Sequence, residues 1–149
     1  MRDSTERHPT VQLSIRNLDG VVEAVTVGPA MTTVRTRLPG GQDVTAAITS
    51  EAAAELDLRA GASVRVLVKS TEISVALGEV GRVSIRNLLP GIVTAVDNGE
   101  VMSTVKLDIG NGDVLTATIT REAAGELGLA IGVAVTAMVK STDVAIARP

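Results

Sequence analysis

The chain is written twice. Ser14-Ile15-Arg16-Asn17-Leu18 returns as Ser84-Ile85-Arg86-Asn87-Leu88, and Lys69-Ser70-Thr71 returns as Lys140-Ser141-Thr142. Between these ends, Ile48-Thr49-Ser50-Glu51-Ala52-Ala53 returns as Ile119-Thr120-Arg121-Glu122-Ala123-Ala124. About half of the aligned positions are identical, with one residue inserted near Pro90, so the chain is an internal duplication. This constrains the fold more than composition does: what one copy forms the other must form, and any site comes in two copies. The expected organisation is a flexible tail over residues 1–10, repeat one over 11–77, a linker over 78–82 and repeat two over 83–149. Units this small, without cysteine or metal ligands, gain stability by packing on neighbours or by oligomerising. The linker is too short for the units to move far apart, so contact between them is expected.

Within each repeat the apolar pattern is period-2 and rich in Val, Ile and Thr. Strands are expected over Gly20–Val27, Met31–Leu38, Asp43–Ile48, Ser63–Val68 and Ile73–Leu77. Pro39-Gly40-Gly41 and Gly110-Asn111-Gly112 read as tight hairpin turns, the Asn-Gly pair because it tolerates positive φ. Glu51–Leu58 and Glu122–Leu129 are good helix formers with an acidic first turn. Thr49 or Ser50, and Thr120, are the expected N-caps, and Gly61 and Gly132 the expected stops. The predicted class is mainly β: two tandem OB-like five-stranded β-barrels, each with one short α-helix. Met31 and Met102, at equivalent strand positions, are expected to fill core.

Composition removes several functions. There is no cysteine, so neither a disulfide framework nor a thiolate metal site is expected, in keeping with a cytoplasmic protein. There is no aromatic residue and the net charge is −3, whereas nucleic-acid binders carry a basic stripe, and single-strand binders add aromatic platforms. No apolar run reaches the length of a membrane helix, and the first residues lack a signal-peptide core. His8, in the tail, is the only histidine, and no nucleophile–base pair or paired-carboxylate constellation is evident, so no catalytic residue and no enzyme is expected. Asp108-Ile109-Gly110-Asn111-Gly112-Asp113 lacks the carboxylate spacing of a calcium loop and is read as a hairpin.

What remains is a repeated set of donors. Ser14, Arg16 and Asn17, like Ser84, Arg86 and Asn87, read either as an exposed strand end or as ligand contacts. Lys69 and Ser70, like Lys140 and Ser141, interrupt an apolar strand pair with further N–H and O–H groups. Neither bookend contains a carboxylate before Glu72 or Asp143. Such a set suits a small, fully deprotonated anion. The free N–H groups after Thr49 and Thr120 serve either a cap or an anion.

These residues, in this order and twice over, resemble the Mop domain, the molybdate-binding branch of the TOBE domains. The tandem arrangement is similar to that of the di-Mop molbindins. The resemblance implies OB-like barrels, a homotrimer presenting a ring of Mop units, and oxyanion sites shared between units. It maps the contacts to Ser14, Arg16, Lys69 and Ser70, and to Ser84, Arg86, Lys140 and Ser141, with Thr49 and Thr120 contributed by an adjoining unit. Asn17 and Asn87 either touch the anion or shape the turn. Where the family often has a serine three residues after the threonine, this chain has Ala52 and Ala123. The function so implied is storage or homeostasis of molybdate, or of tungstate, with no cofactor and no metal bound except as the oxyanion. No nucleic-acid or membrane partner is expected. The alternatives are a free-standing TOBE sensor or interaction module, and, less favoured, an OB-type nucleic-acid binder.

Overall fold

The computed structural model describes residues 15–149, with side chains from Asn17 onward. The expected tail, Ser14 and the side chain of Arg16 lie outside the described residues. Repeat one forms β1 (Ile15–Val27), β2 (Met31–Arg37), β3 (Asp43–Thr49), α1 (Ser50–Glu55), β4 (Ser63–Lys69), a 3₁₀ turn (Ser70–Glu72) and β5 (Ser74–Ala76). Repeat two forms β6 (Asn87–Asn98), β7 (Met102–Asp108), β8 (Val114–Thr120), α2 (Arg121–Glu126), β9 (Ala134–Val139), a 3₁₀ turn (Ser141–Asp143) and β10 (Val144–Ala147).

The period-2 pattern fixes the faces. Along β2, Thr32, Val34 and Thr36 point inward and their neighbours outward. That alternation corrects the expectation for the methionines: Met31 and Met102 begin their strands on the outward face and are 47% and 42% exposed. The long strands β1 and β6 each serve two partners. β1 pairs with β4 over Ile15–Val21 and with β2 over Val21–Val27, with a bulge between Val22 and Ala24. β6 repeats the bulge between Val93 and Ala95. Bulges bend a strand and increase its twist. Each sheet curls until its edge strands approach, β10 beside β3 and β5 beside β8.

The hairpins follow local chemistry. Asn111 (φ 55°) and Gly112 (φ 77°) occupy the centre of a turn closed by the Asp113 N–H donating to the Gly110 carbonyl. The helices are shorter than expected. Thr49 and Thr120 cap them, each accepting from the N–H three residues on, at 3.1 Å. The stops come earlier than Gly61 and Gly132. Asp57 (φ 52°) and Gly128 (φ 62°) adopt the left-handed conformation instead. The Leu58 and Leu129 N–H groups then donate back to the Ala53 and Ala124 carbonyls, closing the helix after barely two turns.

The two repeats do not build separate sheets; they exchange their last strands. The order is β10-β4-β1-β2-β3 in one sheet and β5-β9-β6-β7-β8 in the other. The cause lies at Lys69-Ser70-Thr71 and its copy. After β4 the chain makes a 3₁₀ turn that packs on β8, and after β9 it makes one that packs on β3. Each turn is anchored on the opposite repeat, so the strand that follows pairs there. The exchange merges the interiors: a single cluster of buried residues contains Val66, Val68 and Ile73 together with Leu107, Leu115, Val139 and Val144. Ile146 of repeat two also packs on the smaller core of repeat one beneath α1. Full burial of a side chain such as Ile73, just before β5, or Val144, which opens β10, contributes about 1.5–3 kcal/mol, so each exchanged segment is substantially anchored.

Candidate functional site

The exchange also places the ends of repeat two side by side. An open recess of about 390 Å³ is lined by Ser84, Ile85, Arg86, Lys140, Ser141, Thr142 and, from repeat one, Thr33. Four of the expected residues, Ser84, Arg86, Lys140 and Ser141, thus meet on one surface although 54 or more positions separate the pairs in sequence. Ser84 and Arg86 lie just before β6, and Lys140 and Ser141 at the turn after β9, the neighbour of β6 in the sheet. Thr33 reaches them because its strand, β2, pairs with β3, on which the 3₁₀ turn of repeat two packs.

The chemistry of the lining is that of donors and cations. Among the described residues no carboxylate lines the recess. Among the described residues Arg86 and Lys140 have no ion-pair partner within 4 Å. Other arginines are paired: Arg37 with Asp43 and Glu23, Arg65 with Asp19, and Arg59 with Asp57. At the first of these, the hydrogen bond from Arg37 holds the Asp43 carboxyl below the ordinary carboxylate range. Arg86 spends one N–H on the Val83 carbonyl at 2.6 Å, which leaves the rest of its fork unengaged. The Ser141 hydroxyl is shut off from solvent without any hydrogen-bond partner. Leaving such a group unpaired costs about 1–3 kcal/mol, a cost that a ligand oxygen would relieve.

The remaining expected residues are placed differently. Thr49 and Thr120 do not line the recess. Their oxygens accept the capping hydrogen bonds, which leaves each hydroxyl proton free, and both side chains are exposed. In repeat one, Lys69 is exposed, whereas Ser70 is 2% exposed and accepts a hydrogen bond from Thr118 Oγ1 at 3.0 Å. The asparagines, alike in motif, differ in place. Asn87 is buried: its Nδ2 donates to the Thr45 carbonyl and its Oδ1 accepts from the Thr45 N–H, both at 2.8 Å. Asn17 is exposed. The inserted residue explains this. Asn87 lies opposite Val139, whose counterpart is Val68, yet Val68 faces Arg16 and Asn17 faces Leu67. A shift of one residue in a period-2 strand turns every side chain to the other face. Asn87 therefore joins the repeats by pairing with an edge strand, with both ends of its amide occupied.

Thr33, Thr45 and Thr118 were not singled out from the sequence, because each acts on the opposite repeat. The one signal was that all three stand on outward or half-buried positions of threonine-rich strands.

A family model described as TOBE domain matches residues 13–75 and again 83–146. A molybdenum-pterin-binding protein, MopA, of Rhodobacter capsulatus is 40% identical over 142 residues, 94% of this chain and 54% of its own length. A molybdenum transport protein, ModE, of Herbaspirillum seropedicae is 35% identical over 143 residues, 95% of this chain and 53% of its own. The chain therefore spans about half the length of these curated relatives. A crystal structure of the cytoplasmic molybdate-binding protein ModG, with molybdate bound, superposes with a TM-score of 0.87 at 33% identity, covering 90% of this chain and 96% of that one. Two matched repeats, a shared fold and Mop relatives along nearly its whole length identify the chain as a member of the TOBE-domain family, of the tandem Mop type.

Proposed function

We propose that the protein binds molybdate, and tungstate by the same chemistry, in the recess of Ser84, Arg86, Lys140 and Ser141 with Thr33 beside it. The observation that carries the reading is a donor-lined recess holding two cations without a carboxylate partner. A tetrahedral dianion with no proton near neutral pH accepts from every such donor, and charge-assisted bonds are about twice as strong as neutral ones. A hydrogen phosphate would turn its own proton toward a donor. The relatives named for molybdenum and molybdate support this ligand.

In repeat one the corresponding set is Ser14, Arg16, Lys69 and Ser70. Thr49 and Thr120, exposed with free hydroxyl protons, serve an adjoining copy in a homotrimer. The role is cytoplasmic storage or homeostasis rather than catalysis, with no nucleic-acid or membrane partner. Among the described residues no helix is long and apolar enough to cross a membrane. A second reading, a sensor or delivery module, is favoured by the relatives described as transport proteins, in which this tandem unit is only about half of the chain.

The test is thermal denaturation with equimolar oxyanions. Molybdate raises the melting temperature well above the effect of sulfate or phosphate, as a ligand bound by the folded form alone does. Equal shifts for all three would remove the selectivity. Lys140→Ala lowers the affinity or the stoichiometry in titration calorimetry without unfolding the chain. Sedimentation gives the assembly: a trimer, or else the shared-site arrangement fails.

A further inference from the structure

The two copies of the binding serine are not in the same state. Ser70 and Ser141 begin equivalent 3₁₀ turns, and each turn packs on the third strand of the opposite repeat. Ser70 meets Thr118 on β8, which donates to its Oγ at 3.0 Å, and the residue is 2% exposed. The position on β3 equivalent to Thr118 is Ala47, which has no hydroxyl to offer. Ser141 is accordingly without a partner, and its residue lines the recess beside Arg86 and Lys140. Turning the Ser141 hydroxyl toward an anion breaks no hydrogen bond. Ser70 only accepts from Thr118 and keeps its own hydroxyl proton, but its residue is 2% exposed, so swinging that hydroxyl out to an anion gives up the bond and uncovers a buried side chain.

We infer, resting on the oxyanion reading above, that the two copies load unequally, that the copy at Ser141 takes the anion first, and that the residue at position 47 or 118 sets the difference. Thr118 is a positioning residue that holds Ser70 away from ligand; Ala47 leaves Ser141 free. The separation expected is the worth of one net hydrogen bond, roughly three- to tenfold in affinity.

The substitutions that test this already have precedent in the other repeat. Titration calorimetry of the full chain with molybdate gives two classes of site in the wild type. Thr118→Val, which keeps the shape and removes the hydroxyl, strengthens the weaker class until the two approach each other. Thr118→Ser, which keeps the hydroxyl, restores the wild-type separation, a rescue that a mere packing role would not produce. Ala47→Thr ties up Ser141 and weakens the tighter class by the same factor. Should Ala47→Thr fail to fold, as circular dichroism would report, the two Thr118 variants decide alone. Molybdate uptake at equal sites, or two classes that Thr118→Val leaves unchanged, overturns this inference and leaves the oxyanion reading standing. No uptake of molybdate by the wild type overturns both.

Discussion

Repeat one and repeat two share their motifs and differ in what those motifs touch. Asn87 joins the repeats and Asn17 stands in solvent; Ser70 is bonded and Ser141 is not; one helix ends on Asp57 and the other on Gly128. Duplication copies residue types, but the role of a side chain depends on the face it reaches and on the residue opposite. One inserted residue reverses the face, and one alanine removes the partner. The molecule is thus a pseudo-symmetric pair, and its departures at Asn87 and Ser70 fall where the repeats meet.

The largest break in that symmetry predicts the largest effect. Asn87→Ala leaves the N–H and carbonyl of Thr45 without their partner at the margin of β3, and destabilises the protein by about 2–4 kcal/mol. Asn17→Ala, on an exposed face, changes stability by no more than about 0.5 kcal/mol. Urea denaturation of the two variants measures both. Equal losses would mean that Asn17 is clamped as Asn87 is, and the register argument would fall.

How much of this was legible in the sequence follows from the range of each interaction. The threonine caps and the Asn111-Gly112 turn are written in a few adjacent residues, and the sequence reads them directly. The strand exchange is not readable in that way. β5 and β10 carry nearly the same pattern, so either would satisfy either sheet, and the choice rests on where the preceding turn is anchored. The gathering of Ser84, Arg86, Lys140 and Ser141 was legible from the repeated donor clusters and from the resemblance to the Mop domain, and the pairing of β6 with β9 is what brings their strand ends together. Thr33 and Thr118 were not, since each belongs to the opposite repeat. The burial of Asn87 was hidden in the parity of a single insertion.

The helix ends give a smaller contrast. Gly128 takes its left-handed conformation without cost, whereas Asp57 takes the same conformation with a side chain. Gly128→Ala destabilises by about 1 kcal/mol. Asp57→Gly is neutral or slightly stabilising, because the ion pair with Arg59 that it removes is exposed and the one with Arg148 is long, at 3.9 Å. Thermal melts of both variants sharpen the comparison, and a stable Gly128→Ala protein would mean that this position tolerates a side chain as well as its counterpart does.

The smallest effect lies at the hairpin tips and is visible only as a function of pH. Gln42 and Asp113 occupy equivalent positions. Gln42 donates to the Pro90 and Ile109 carbonyls of the opposite repeat, which satisfies its amide. Asp113 has one carboxylate oxygen buried without a partner, and burial pushes its carboxyl above the ordinary range despite a hydrogen bond from the Gly40 N–H. The folded state therefore holds the Asp113 proton more tightly than the unfolded chain does. Its contribution is fully present below the unfolded carboxylate range and is lost as pH rises through the folded value. Asp43, held low by Arg37, has the opposite sign: its contribution is present above the unfolded range and is lost as pH falls through the folded value. Asp113→Asn removes the first effect and leaves the second. The variant matches the wild type in acid and gains on it as pH rises to neutrality, by about 1–2 °C in melting temperature. Asp43→Asn does the reverse, losing stability at neutral pH and matching the wild type in acid. A gap between Asp113→Asn and wild type that stays constant from pH 3 to 7 would show that the buried carboxylate costs nothing, and that the two tips are equivalent after all.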